Sequence, residues 1–292
     1  EPDNKPPVVT LGGDDRVVIE LGSLYQDAGA TAVDDRDGDL TGKINFLAAS
    51  LFTLPTDGLK IHLDADASLS SLTDGARVFE WPNLLDSSQV FSKTYTDETN
   101  ENRPTIVHNA MNGKSVVRFD SSLRRGQYLT LKDHGIDTKE PYSFYLVVNK
   151  FVETGSLAGF FNTGGGSDHR SIHVEGPNLV RTVNRRYQIL ASGQIAFEGT
   201  AFTAGYVQGS TIHFPVLDGG APGVAGSIDS RIPELNAFGL GALAVGNSWR
   251  YLAAASAYDL AEVFVFDRQL EPAEENALFY HVKKKYQVQN FA

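Results

Sequence analysis

Tyr258 to Tyr286 reads YDLAEVFVFDRQLEPAEENALFYHVKKKY, and this stretch decides the fold. Leu260, Glu262, Phe264 and Phe266 alternate with Ala261, Val263, Val265 and Asp267, the period of two that marks a strand. Both faces of that strand are largely apolar, which predicts a position between two layers, as in a sandwich of sheets. The run Asp267-Arg268-Gln269-Leu270 breaks the alternation. Pro272 then stands where a first helical position tolerates proline, because that N–H has no intrahelical partner. Glu274 and Glu275 in the first turn, and Lys283, Lys284 and Lys285 in the last, complement the helix dipole. Ala277, Leu278, His281, Val282 and Tyr286 supply an apolar stripe at helical spacing. A closing strand followed by a short amphipathic helix is the expectation, with the three lysines at its solvated end.

The bulk properties fit a large β protein. The chain has 292 residues, 41% of them hydrophobic, enough for one large β domain and a small one. Its 28 glycines punctuate many short runs, and only the C-terminal stretch carries a long helical pattern, so the chain reads as nearly all β. A net charge of -11 argues against general nucleic-acid binding and against an anionic membrane surface. The absence of cysteine removes disulfides and thiol chemistry. No apolar run approaches the roughly 20 residues that span a bilayer, so no membrane insertion is expected. The start at Glu1 without methionine is the pattern of a mature protein or an excised fragment.

At the N-terminus, Glu1 to Pro7 is polar and proline-rich, as linkers are. Val8–Leu11, Arg16–Leu21 and Ala28–Val33 read as short strands separated by glycines. The stretch PPVVTLGGDDRVVIELGSLYQDAGATAVDDRDGDLTGKI resembles a bacterial immunoglobulin-like surface module, with the signature positions present from Pro7 to Thr41. Such modules occur in secreted and cell-surface proteins, commonly beside carbohydrate-active or adhesive domains. The second half of the family pattern is missing, so the module is a partial one, and the expected division is 1–53 for the module and linker and 54–292 for the main domain. The acidic cluster Asp34, Asp35, Asp37 and Asp39 suits calcium, because closely spaced carboxylates in a glycine-containing turn offer hard oxygen ligands. The competing reading is a solvated turn whose carboxylates cap backbone N–H groups.

The main domain opens at Thr56-Asp57-Gly58 with the strand Leu59-Lys60-Ile61-His62-Leu63-Asp64-Ala65-Asp66. Trp81 follows in a strand and is assigned to the core. Arg103-Pro104-Thr105, then Gly113-Lys114-Ser115-Val116-Val117-Arg118-Phe119-Asp120, then Ser143 to Val148, continue the pattern. Together with Asp259 to Leu270 and the helix after it, these segments resemble the concanavalin A-like lectin/glucanase superfamily in its bacterial laminin-G-like branch. The resemblance covers Asp57 to about Val152 and Gly239 to Val288; Glu153 to Phe238 carries no recognisable motif. It implies an all-β, two-sheet antiparallel jelly-roll sandwich with a short C-terminal helix, beside a small partial immunoglobulin-like β segment. It also implies that the first and last strands are neighbours, with Leu59–Asp64 beside Ala261–Phe266. Family members often hold calcium at a sheet edge near the ligand, and by residue type Asp64, Asp66, Asp120 and Asp259 are the oxygen donors for it. Strand-end hydrogen bonding is the competing role for these aspartates.

Catalytic patterns are not evident. Hydrolysis of a glycosidic bond needs two carboxylates flanking it, and no alternating carboxylate run of the jelly-roll glucanase type occurs. Glu262 is the one carboxylate well inside the closing strand, and a structural ion pair with Arg118 on a neighbouring strand is the expected role. A lyase needs a Tyr or His base and a cationic neighbour; His169, Arg170, His173, Arg181, Arg185, Arg186 and Tyr187 have the right chemistry without a diagnostic spacing. Binding is better supported. Aromatic faces and planar donors hold sugars, and two clusters offer them: Trp249-Arg250-Tyr251, and Arg181, Arg185 and Arg186 with Tyr187. The arginines match the geometry of uronate or sulfate groups on an anionic polysaccharide. The alternative roles are plugging the sandwich end for Trp249 and a solvated strand face for the arginines.

These readings converge on non-catalytic carbohydrate binding by a secreted or cell-surface bacterial protein that is part of a larger multidomain one. The expected partner is a polysaccharide or glycan and the expected cofactor is calcium. An adhesin or structural module binding a protein or host surface is the alternative, and a polysaccharide lyase or glycoside hydrolase is the third.

Overall fold

The computed structural model describes residues 6–12, 29–43, 53–92, 103–120, 127–149, 155–161, 169–174, 179–184, 188–194, 200–208, 211–213, 235–241, 243–244, 252–253 and 257–286. The chain forms two compact units, Glu1–Phe52 and Thr53–Ala292. In the first, β1 (Val8–Leu11) pairs antiparallel with β2 (Ala30–Asp34), which pairs with β3 (Gly38–Asp39), and a 3₁₀ turn covers Thr41–Lys43. The expected strand at Arg16–Leu21 lies outside the described residues.

The second unit begins with β4 (Leu59–Asp64), the one-turn helix α1 (Ala65–Ser68), β5 (Glu80–Pro82) and β6 (Val90–Ser92). Then come β7 (Thr105–Met111), β8 (Lys114–Phe119), β9 (Leu129–Lys132), β10 (Tyr142–Asn149) and β11 (Gly155–Phe161). The middle of the chain adds β12 (His169–Val174), β13 (Leu179–Asn184), β14 (Gln188–Gln194), β15 (Thr200–Gln208) and β16 (Thr211–His213). The unit closes with β17 (Ala237–Leu240), β18 (Leu243–Ala244), β19 (Leu252–Ala253), β20 (Tyr258–Phe266) and helix α2 (Pro272–Tyr286).

Two antiparallel sheets form the sandwich, which makes the fold all-β. One runs β16-β15-β10-β20-β8-β7 with β4 also paired to β20; the other runs β14-β13-β12-β11-β17-β9-β6-β5. The first and last strands of the unit are neighbours, with Asp64 opposite Glu262, His62 opposite Phe264 and Ile61 opposite Val265. All nine residues of β20 are buried, and the register shows why. Val265 lies opposite Phe144 of β10, and Phe144 meets Phe160 and Phe238 of the facing sheet edge-on at 5.9 and 5.8 Å. Phe264 lies opposite Tyr145, whose hydroxyl donates to Glu275 of α2 at 2.8 Å. Residue alternation therefore sends Val263 and Val265 to the sheet interface and Glu262, Phe264 and Phe266 beneath the helix. The second layer that the apolar faces of β20 call for is a helix on one side and a sheet on the other.

Local chemistry fixes the ends of these elements. Glu271 precedes Pro272, and Glu274 reaches back to accept from the Glu271 N–H at 2.9 Å, the second half of a capping box. Asn112 and Gly113 join β7 to β8 with φ of 48° and 82°, the left-handed pair that a two-residue hairpin of type I′ requires. Trp81 is fully buried, as its assignment to the core expects.

Candidate functional site

The densest polar cluster among the described residues lies between β20, β4 and α2. Glu262 is fully buried on the helix-facing side of β20. Its Oε1 meets His62 Nε2 at 2.8 Å and Lys285 Nζ at 2.9 Å. Its Oε2 accepts from the Tyr286 hydroxyl at 2.8 Å. Asp64 Oδ2 takes Lys285 Nζ at 2.5 Å, while Asp64 Oδ1 caps α1 by accepting from Asp66 N and Ala67 N. His281 Nε2 stands 3.5 Å from Glu262 Oε1.

The electrostatics follow from this packing. Burial pushes the Glu262 carboxyl up, but His281, His62 and the Lys285 charge together outweigh it, so it is held well below the usual carboxylate range. Burial, and then the negative charge of Glu262, pushes the Tyr286 phenol up, so it stays a donor. His62, Asp64 and Glu262 offer one ligand atom each within 4.8 Å of one another, a possible metal-binding triad.

The expected pairing of Glu262 with Arg118 gives way to another. Arg118 forms a fork on Asp259, Nε to Oδ1 at 2.7 Å and Nη2 to Oδ2 at 2.8 Å. Register decides this, because β8 pairs with β20 through Asp259 opposite Arg118 and ends its pairing at Leu260, short of Glu262. The lysines also depart from the expected solvated end. Lys284 is exposed, but Lys285 is drawn in against two carboxylates. Helical spacing explains it: Lys285 lies four residues after His281, on the face that packs on the sheet.

The aspartates named for calcium fall in separate places. Asp64 carries the Lys285 ammonium, Asp66 accepts from Lys114 Nζ and from Ser115, and Asp259 holds Arg118. The Asp66 carboxyl is held low by Lys114 and Ser115 against its burial. Asp120 follows β8 and its N–H donates to Gln127. In the first unit, Asp34 Oδ1 accepts from Arg36 N and Asp37 N at 2.9 Å each, and Asp39 Oδ1 accepts from Thr41 N at 2.8 Å. These are turn caps. Asp35 and Asp37 occupy the exposed turn between β2 and β3.

Of the binding clusters, Arg185, Arg186 and Tyr187, and Trp249, Arg250 and Tyr251, lie outside the described residues. Arg181 lies in β13, opposite His173 of β12 and Ser192 of β14. Sequence reading missed the His62–Asp64–Glu262–Lys285–Tyr286 cluster as a unit. The available signal was the pair His62 and Asp64, two polar residues spaced i, i+2 in a strand otherwise apolar at its centre.

Residues 9–50 match the model of the bacterial surface protein immunoglobulin-like domain family. No curated protein matches the chain in sequence. Among solved structures, Trypanosoma rangeli sialidase bound to 2,3-difluoro-KDN is similar, with a TM-score of 0.50 and 15% identity over 80% of this chain and 33% of that chain. The same sialidase with sialic acid gives a TM-score of 0.50 and 14% identity over 90% of this chain and 44% of that one. A mutant of the NanB sialidase of Streptococcus pneumoniae gives 0.39 and 14% over 48% of this chain and 25% of that one. The chain thus spans less than half the length of the Trypanosoma rangeli sialidase, and that likeness is one of fold.

Proposed function

We propose that the protein is a non-catalytic carbohydrate-binding region of a secreted or surface protein, taking a polysaccharide and favouring an anionic one. The observation that carries this is the strand register that lines up His173, Arg181 and Ser192 across β12, β13 and β14. Residues of these types, an arginine, a histidine and a serine at paired positions, suit carboxylate or sulfate groups spaced along a chain of sugars. The fold shared with part of a sialidase and the laminin-G-like sequence pattern support the same class. Glu262 is a poor acid or base for a sugar bond, since both its oxygens are engaged and the side chain is fully buried.

The test is affinity electrophoresis against neutral, uronic and sulfated polysaccharides, with calcium and with EDTA, and with an assay for cleavage products. Retardation by uronic or sulfated chains without cleavage is the expected result, weakened in Arg181→Ala. Loss of retardation in EDTA would place a metal at or near the binding site. Products in the gel would make the protein a lyase or hydrolase instead. No retardation by any glycan would leave the second reading, an adhesin or structural surface module, which the bacterial surface domain at residues 9–50 favours.

A further inference from the structure

Three side chains from two strands bring metal-type donors within 4.8 Å of one another, and a fourth, His281, stands beside one of them. His62 and Asp64 are two apart on β4, Glu262 is on β20 and His281 is on α2. His62 Nε2 lies 2.8 Å and His281 Nε2 3.5 Å from Glu262 Oε1. The His281 nitrogen is itself buried and makes no hydrogen bond. Each carboxylate has one oxygen held from behind, Glu262 Oε2 by the Tyr286 hydroxyl and Asp64 Oδ1 by two backbone N–H groups. That leaves Oε1 and Oδ2 turned toward a common cation, and outer contacts of this kind orient ligands in metal sites. One aromatic ring positions both imidazoles: Phe264 stacks on His62 at 4.8 Å and meets His281 edge-on at 6.0 Å.

The cation at that point is the Lys285 ammonium, 2.5 Å from Asp64 and 2.9 Å from Glu262. It supplies one positive charge against two buried carboxylates. We propose that this cluster binds a divalent transition-metal ion of the zinc class, which enters by displacing Lys285. A divalent ion balances both carboxylates. Two imidazoles favour zinc-like ions over calcium or magnesium, which prefer all-oxygen shells. Zinc takes His nitrogens and carboxylate oxygens at about 2.0–2.2 Å in a tetrahedron, which puts neighbouring donors about 3.4 Å apart. The donors of His62, Asp64 and Glu262 lie within 4.8 Å of one another and must draw together toward that value, and His281, 3.5 Å from Glu262 Oε1, must turn in as the fourth. The route in is open, since the side chains of Lys285 and His281 keep 18% and 28% of their exposure. Lysine, a point charge on a flexible stem, can swing out along it.

The proposal stands apart from glycan binding and is tested without any glycan. Metal-free full chain is titrated with zinc in excess calcium and magnesium by calorimetry, and its thermal midpoint is followed. One equivalent should bind and raise the midpoint. His62→Ala combined with His281→Ala should weaken binding by about tenfold or more, and Lys285→Met should tighten it. No heat and no change in midpoint at millimolar zinc would overturn the site, as would undiminished binding in the double histidine variant. Unchanged or weaker binding in Lys285→Met would overturn the displacement. Should the double variant fail to fold, cobalt added to the unaltered chain decides: intense visible bands of tetrahedral cobalt are expected, and the pale octahedral spectrum would refute the site.

Discussion

At the scale of single residues, Glu262 is a costly position to change. A buried carboxylate surrounded by a lysine, two imidazoles and a phenol is stable only as a set. Truncation to Glu262→Ala leaves the Lys285 ammonium to Asp64 alone and the buried Tyr286 hydroxyl without its acceptor, and should cost about 1–3 kcal/mol, read by urea unfolding. The same group gives a pH signature. Its carboxyl is depressed in the fold, so the unfolded chain binds more protons in acid and stability rises with pH. The contribution is present above the ordinary value of 4.5 and is lost as pH falls below it. Glu262→Gln should therefore differ most from the unaltered chain at neutral pH, with the gap closing in acid. Glu275, raised by burial against its hydrogen bond from Tyr145, acts in the opposite sense and loses its contribution as pH rises. Gly241 is a second sensitive residue for a steric reason. At φ +86° an added Cβ would lie 2.3 Å from the Phe119 ring and 2.5 Å from the Gln127 carbonyl oxygen. Gly241→Ala should cost at least about 1–3 kcal/mol from the backbone strain alone, with a lowered thermal midpoint as the readout.

At the scale of elements, α2 is a lid on the closing strand. Its start is held by Arg268, whose guanidinium spans Glu274 with contacts of 2.7 and 2.5 Å. Its middle presents Ala277, Leu278 and Val282 to the sheet, all buried, and its end delivers Lys285 and Tyr286 to Glu262. Leu278→Ala should cost about 2–5 kcal/mol in urea unfolding, because the rigid strands beneath cannot collapse into the gap. The β7–β8 hairpin reaches the same place, since Asn112 Nδ2 donates to the Tyr286 carbonyl. Asn112→Ala loses that bond and the tolerance of asparagine for positive φ, and should cost about 1–2 kcal/mol. A drop smaller than a few tenths would mean that the hairpin does not brace the helix. The strand, the helix and their order were legible from alternation, Pro272 and charge polarity. The inward turn of Lys285 was not, since three consecutive lysines look alike until the phase of the helix against the sheet is set.

At the scale of the whole molecule, the two units are separately compact, and the main one carries both the row proposed for glycan binding and the buried cluster. Residues 53–292 produced alone should unfold in one transition and keep whatever glycan retardation the full chain shows. Loss of that retardation would assign binding to the first unit. The bacterial immunoglobulin-like pattern was legible at the N-terminus because its signature is dense and local, and residues 9–50 match that family. The residues proposed for binding in the middle of the chain had no such signal, because positions on separate strands are brought together only through register. His173 and Arg181 are neighbours through β12–β13 pairing, not through spacing in the chain.

The sequence by itself determined the class of the fold, the alternating closing strand, the helix after it and the pairing of first and last strands. Those features follow from period, turn chemistry and capping, which act over a few residues, and from a recurring strand pattern. Only the tertiary structure decided which charges meet. His62 and Glu262 are 200 positions apart, and Lys285 and Asp64 are 221 apart. Nothing local distinguishes Asp259 from Glu262 as the partner of Arg118; the place where β8 leaves β20 does. Buried charges take their partners from packing, and packing exists only once the sheets and the helix have closed over them.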